Sequence, residues 1–156
     1  MEVLKDNTDK TDIFREFPEI LKEELTPAFG CTEPIAIAYC ASKLRDVLGC
    51  APESILVEAS GNIIKNVKSV IVPNTGGLKG IAAAAAAGIA AGRTERKLEV
   101  IAEVSQEEKQ KIRECLERIG IKIRALEDGD KLDIRMTGEG NGHTAFVRVA
   151  KYHSNI

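Results

Sequence analysis

Tryptophan is absent from this chain, and aromatic residues make up only 4% of it. That excludes a base-stacking platform and an aromatic cage around a large ligand. Histidine occurs only twice, and the four cysteines, at positions 31, 40, 50 and 115, form no C-x-x-C pair. No zinc-ligand spacing results. Net charge is only −2, from 22 basic and 24 acidic residues, with no clustered basic block. The electrostatic footprint of a nucleic-acid binder is therefore missing. Long apolar runs are missing too. The alanine-rich stretch 81–91 is too short and too weakly apolar to span a bilayer. Lys5, Asp6, Asp9 and Lys10 have no apolar segment behind them, so no signal peptide is expected. The chain is read as cytoplasmic, with reduced thiols rather than disulfides and no membrane or nucleic-acid partner.

What is present is the balance of a globular protein: 156 residues, 44% hydrophobic and 29% charged, enough for one domain with a real core. Apolar residues at Ile13, Phe17, Ile20, Leu21 and Leu25 recur at a helical period over residues 12–25. Pro18 marks a kink or the true start of that helix. Thr32 is the expected N-cap of a second helix, with Glu33 and Pro34 in its first turn and Gly49 as its stop. Ile35, Ala38, Cys40, Leu44 and Val47 read as its buried side. Residues 54–59 read as a strand, Ser60-Gly61-Asn62 as a turn, and residues 69–72 as a β-branched run ended by Pro73. Pro73-Asn74-Thr75-Gly76-Gly77 is a glycine-rich loop before a helix of small residues over 78–91, which should pack closely and centrally.

The second half changes character. Residues 98–104 are expected as a strand. Ser105 and Glu108 form a capping box for a helix that buries Ile112, Cys115, Leu116 and Ile119. Alternating segments over 121–126, 132–137 and 145–151 read as strands, with residues 138–142 as a hairpin connection between the last two. The expected fold is α+β: a helical N-terminal half with an alanine-rich central helix, then a small antiparallel sheet with one helix. Residues 1–156 form a single domain in this reading. The last strand is followed by Tyr152-His153-Ser154-Asn155-Ile156 with no stop signal, as if the chain ended mid-fold.

Cys31 is the sharpest chemical feature. It sits in a short loop before an expected helix N-terminus, where backbone N–H groups favour a thiolate that can act as nucleophile or general base. A buried, inert core cysteine is the other reading of such a residue. Cys40 and Cys115 fall on apolar helix faces and read as core. Glu33 either complements the helix dipole or serves as an active-site carboxylate orienting substrate or Cys31. Asn62, Lys65 and Asn66 in one polar stretch, and Asn74, Thr75 and Gly76 in another, are either ordinary turn chemistry or a pocket for a small anionic substrate such as an amino acid. His143 is either a surface histidine or a proton shuttle.

Taken together, Gly30-Cys31-Thr32-Glu33-Pro34, Ser60-Gly61-Asn62-Ile63-Ile64-Lys65-Asn66, Val72-Pro73-Asn74-Thr75-Gly76-Gly77 and Gly142-His143-Thr144 resemble the L-cysteine desulfidase family. That family is related to the alpha chain of iron–sulfur L-serine dehydratases. The resemblance implies a 4Fe-4S-dependent lyase that converts L-cysteine to pyruvate, ammonia and sulfide by α,β-elimination. Cys31 would be its general base and Glu33 a second catalytic residue. Asn62, Lys65, Asn66, Asn74, Thr75, Gly76 and His143 would line the pocket for a small L-amino acid. The family's cluster ligands lie in a C-terminal helical region that this chain lacks. The resemblance therefore implies the N-terminal part of a longer enzyme, with no cluster in this chain alone. A missing C-terminal region or second subunit is the implied partner, and an open domain edge would favour a homodimer. The alternatives are an L-serine dehydratase, a non-catalytic domain that binds a small amino acid, and an α+β protein-interaction module.

Overall fold

Nine consecutive apolar or small residues, 34–42, leave the first part of one helix no solvent face, and the fold is built around that helix. The computed structural model describes Phe17, Pro18, Leu21, Ala28 and residues 30–156. Phe17, Pro18 and Leu21 are helical, and the rest of the helix expected over 12–25 lies outside the described residues. Helix α1 runs Thr32–Leu48, with Cys31 rather than Thr32 at the N-cap and Gly49 at the C-cap in the left-handed region, φ 74°. Strand β1 (Ser54–Ser60) leads directly into helix α2 (Gly61–Val67), where a turn was expected. Helix α3 is Gly80–Ala91, a 3-10 helix covers Thr94–Glu99, and helix α4 is Gln106–Arg118. Strands β2 (Gly120–Leu126), β3 (Asp133–Gly140) and β4 (His143–Ala150) follow.

The fold is α+β, and the four strands form one sheet in the order β2-β1-β3-β4. The sheet is mixed, which corrects the all-antiparallel expectation: β1 pairs parallel with β2 and antiparallel with β3, and β3 with β4. The sequence-adjacent hairpin was legible, although residues 138–140, expected in its connection, belong to β3 and leave a two-residue turn. The parallel pair joins strands more than fifty residues apart through a helical crossover, which no local pattern announces. Between β3 and β4, Asn141 and Gly142 both take positive φ, 50° and 74°. They are the two central residues of a tight hairpin turn whose twist matches the strands.

Helix α1 lies between the sheet, at β3 and β4, and helix α3, and α4 packs on α3. Residues 34–42 of α1 are all buried, while Val47, expected inside, is 56% exposed. A helix that is apolar all round is a core helix, so the one-sided stripe read from the sequence was too narrow. Between α1 and α3 the backbones nearly touch. A Cβ at Gly88 would stand 2.1 Å from the Ala38 carbonyl oxygen. Arg45 ties the two helices further, donating to the carbonyls of Ile89 at 3.1 Å and Gly92 at 3.0 Å at the end of α3. At the next helix the capping box is formed, with Ser105 Oγ accepting from the Glu108 N–H at 3.1 Å and Glu108 Oε2 accepting from the Ser105 N–H at 2.8 Å.

Two expected strands are not strands. Residues 98–104 form the end of the 3-10 helix and the turn after it, with Leu98, Val100 and Ile101 buried. A short apolar run reads the same whether it packs as a strand or as a tight turn, and here Lys97 at φ 51° and the Arg93 N–H to Val100 carbonyl bond of 2.8 Å fold it back. Residues 69–72 make only the isolated bridge Ile71 to Lys79, closed by Val72 N–H to Leu78 O at 2.9 Å and Gly80 N–H to Val70 O at 3.1 Å. Residues 73–77 form the tip of that small ribbon.

On the sheet, Asp133 has no solvent exposure and holds two cations. Its Oδ2 accepts from Arg148 Nη2 at 2.7 Å and from Arg135 Nη2 at 3.0 Å. Burial works against ionisation, but the two guanidiniums prevail and hold the carboxyl below its ordinary value. Its stabilisation is complete above the unfolded pKa of about 3.9 and is lost as pH falls through the lower folded value.

Two outcomes follow from this packing. Gly88→Ala gains about 1 kcal/mol in helix propensity, yet overpacking costs about 3 kcal/mol, so urea denaturation should show a net loss of stability. Asp133→Asn should cost about 1.5–3 kcal/mol at pH 7 and flatten the fall in melting temperature between pH 4 and the acid limit. An unchanged acid slope would contradict the assignment.

Candidate functional site

The N-terminal end of α1 gathers three of the polar residues singled out above. With Cys31 at the N-cap, Glu33 falls at the second helical position, and its carboxylate folds back over the preceding loop. The Cys31 thiol donates to Glu33 Oε2 at 3.1 Å, and Thr32 Oγ1 donates to the same oxygen at 3.3 Å. From α2, Asn66 Nδ2 reaches the other oxygen, Oε1, at a long 3.4 Å. Cys31 is exposed and Glu33 half-buried. Asn62, Lys65 and Asn66 are spaced i, i+3, i+4 along α2, which puts them on one face, and all are exposed.

The protonation pattern is the reverse of the sequence expectation. Partial burial and the Glu33 carboxylate push the Cys31 thiol above its ordinary value, although the helix backbone pulls the other way. The Cys31 hydrogen bond, outweighing burial and helped by the Glu33 N–H, Thr32 and Asn66, holds Glu33 below the usual carboxylate range. The resting pair is a thiol donating to a carboxylate, not a thiolate. At Cys40 and Cys115 burial likewise pushes the thiol up, to about 11 at Cys115, and both are core residues.

The glycine-rich loop borders the site but turns its own polar groups inward. A Cβ at Gly30 would stand 2.7 Å from Pro73 Cγ, so the loop carrying Cys31 rests on the proline ring. Asn74, at φ 58°, donates from Nδ2 to the carbonyls of Ile101 and Ala102 at 3.0 and 2.7 Å. Thr75 is fully buried, donates to Val72 O at 2.8 Å and accepts from the Leu78 N–H at 3.2 Å. These side chains hold the loop, and Thr75 has no exposed surface. Gly76 is exposed, and a Cβ there would stand 3.0 Å from Arg113 Nη2. Arg113 is a neighbour of the loop that sequence reasoning did not single out, because α4 lies far downstream and no spacing links them.

His143 lies elsewhere. It opens β4 opposite Gly140, and a Cβ at Gly140 would meet Cys50 Sγ at 3.1 Å and Leu48 Cδ2 at 3.2 Å, beyond the C-terminal end of α1. The 17 residues of α1 separate it from Cys31 by on the order of 25 Å. The same separation keeps Cys31 away from Cys50. Among the described residues, no group of three or more His, Cys, Asp or Glu side chains converges as a metal site. The four thiols present do not fit an iron–sulfur cluster. No helix among the described residues is long and apolar enough to cross a membrane.

Comparison with known proteins changes the family reading. The chain is 52% identical over 143 residues to a UPF0597 protein of Desulfitobacterium hafniense, covering 92% of this chain and 33% of that protein. It is 49% identical over 140 residues to a UPF0597 protein of Treponema denticola, covering 90% of this chain and 32% of that protein. A UPF0597 protein of Finegoldia magna is 45% identical over 143 residues, covering 91% of this chain and 34% of that protein. The chain thus spans about a third of the length of the curated relatives it matches. No family model matches it.

These relatives overturn the identification with the L-cysteine desulfidase and iron–sulfur L-serine dehydratase family. Proteins this similar over about nine-tenths of the chain carry the UPF0597 name and neither enzyme's. The lyase and iron–sulfur readings fall with it, and the dehydratase and amino-acid-binding alternatives gain no support. In this structure Asn74 and Thr75 of the shared motif bond to backbone carbonyls.

The thiol–carboxylate pair has a direct check. In pH-dependent alkylation read by mass spectrometry, Cys31 should half-titrate above the ~8.5 of a free thiol. Glu33→Gln removes the carboxylate charge and should move that midpoint down. A wild-type midpoint below the free-thiol value, or no movement in the variant, would sink the pairing.

Proposed function

We propose that this chain contributes a general acid–base pair to an enzyme, with the Cys31 thiol as proton donor and the Glu33 carboxylate as proton acceptor. The observation that carries the reading is the 3.1 Å thiol-to-carboxylate hydrogen bond at the end of a buried helix. Its members rest with the proton on sulfur and the charge on oxygen, so one can give a proton while the other takes one. The thiol proton passes to a substrate atom that gains an electron pair. A proton taken up by Glu33 from substrate or water then returns to the thiolate, which restores the starting state.

Asn66 steadies the acceptor carboxylate, and the exposed face of α2 with Asn62 and Lys65 offers a donor and a cation to a small polar substrate. An L-amino acid is the reference case for size and charge. We place the protein in the cytoplasm, where an exposed thiol stays reduced. The pair differs from the thiolate base of the sequence reading because partial burial and the neighbouring carboxylate, both absent from a purely dipolar account, keep the proton on sulfur.

Solvent exchange detects such proton transfer without knowledge of the net reaction. The chain and the longer Desulfitobacterium relative would be incubated in deuterated water with a panel of small amino and hydroxy acids, and loss of carbon-bound protons followed by NMR. Cys31→Ala should slow exchange by about 10²–10⁴-fold, and Glu33→Gln should shift its pH dependence. The proposal fails if neither protein exchanges any panel member, or if Cys31→Ala exchanges as fast as wild type.

A further inference from the structure

Among the described residues, strand β2 is the edge of the sheet, paired only with β1, and it is almost wholly uncovered. The row across the helix-covered face at its centre is Ile123, Val57, Met136 and Val147. Exposure along that row is 46%, 0%, 0% and 7%. The helical layer thus ends before the last strand, and Ile123 presents an apolar side chain beside an open backbone edge. On the opposite face, Lys122 lines a cleft of about 360 Å³ together with Leu56, Thr137 and Glu139. Arg124 is exposed there too, bonded to Glu58. An open edge with an uncovered isoleucine is a template for one more strand, and proteins otherwise protect such edges.

A second copy of this chain is a poor occupant. Antiparallel pairing about Ile123 with both helical layers on one side would set Lys122 of each copy opposite Arg124 of the other, and like charges directly opposite are destabilising. An acidic strand is a good one. The relatives supply a source, because about two thirds of their length lies outside the matched region. We propose that β2 is an internal docking edge. It takes an extended strand from the additional polypeptide of the longer relatives, with apolar residues meeting Ile121 and Ile123 and a carboxylate meeting Lys122.

Amide hydrogen exchange tests this on proteins as they exist. In the 156-residue chain, the β2 amides that do not bond to β1 should exchange fast. In the intact Desulfitobacterium relative, the strand aligned with β2 should exchange at least tenfold more slowly. In the intact relative, aspartate at the position aligned with Ile123 should restore fast exchange, and glutamate at the position aligned with Lys122 should restore it in part. Aspartate at the position aligned with Phe146, on the opposite face, should leave the protection unchanged. Ile123 is half exposed, so circular dichroism should show the variant at its position folded. Equal exchange of the strand in the intact relative and in this chain would overturn the proposal. So would β2 protection that rises with the concentration of this chain alone, which would point to a second copy.

Discussion

Helix α3 lies against the Ala38 carbonyl of α1 with no room for a methyl group at Gly88. That contact fixes the spacing of everything else. Six consecutive alanines in α3 have little surface each, so they stabilise the core through close approach rather than size. The approach lets residues 34–42 of α1 be buried on all sides, between the sheet and α3. Arg45 can then reach the last carbonyls of α3 and satisfy groups that a helix end leaves unpaired. With its length locked in the core, α1 presents its N-terminus as a rigid end.

At that end two electrostatic influences compete for the Cys31 proton. The helix terminus favours a thiolate by about 0.3–1 kcal/mol at an exposed position. Partial burial and a full carboxylate charge at hydrogen-bond distance oppose it, and they win. The outcome is a pair with separated protonation states, set by partial burial together with one carboxylate two positions away.

The loop of residues 73–77 carries a different lesson. Asparagine, threonine and paired glycines suggest a ligand cradle, yet Asn74 and Thr75 spend their hydrogen bonds on the carbonyls of Ile101, Ala102 and Val72. Buried backbone groups must find partners, and loop side chains are the nearest ones. Residue types in a motif therefore show what chemistry is possible, and only the contacts show whether those groups are free. The same limit applies to the resemblance built on these strings, which the UPF0597 relatives overturned.

By itself the sequence determined what depends on neighbours in the chain. The capping box at Ser105 and Glu108, the Gly49 stop, the alanine-rich helix and the hairpin at Asn141-Gly142 all follow from spacings of a few residues. So does the proximity of Glu33 to Cys31, which lies within one helical turn. Tertiary structure decided what joins distant segments: the parallel pairing of β1 with β2, Asn66 on the Glu33 carboxylate, Pro73 beneath Gly30, and the wide separation of His143 from Cys31. It also turned residues 98–101 from an expected strand into a buried turn. Local spacing fixes backbone geometry and short-range hydrogen bonds. Which faces meet depends on how closely the helices pack, and that was set by the missing side chain of Gly88 facing Ala38, fifty residues away.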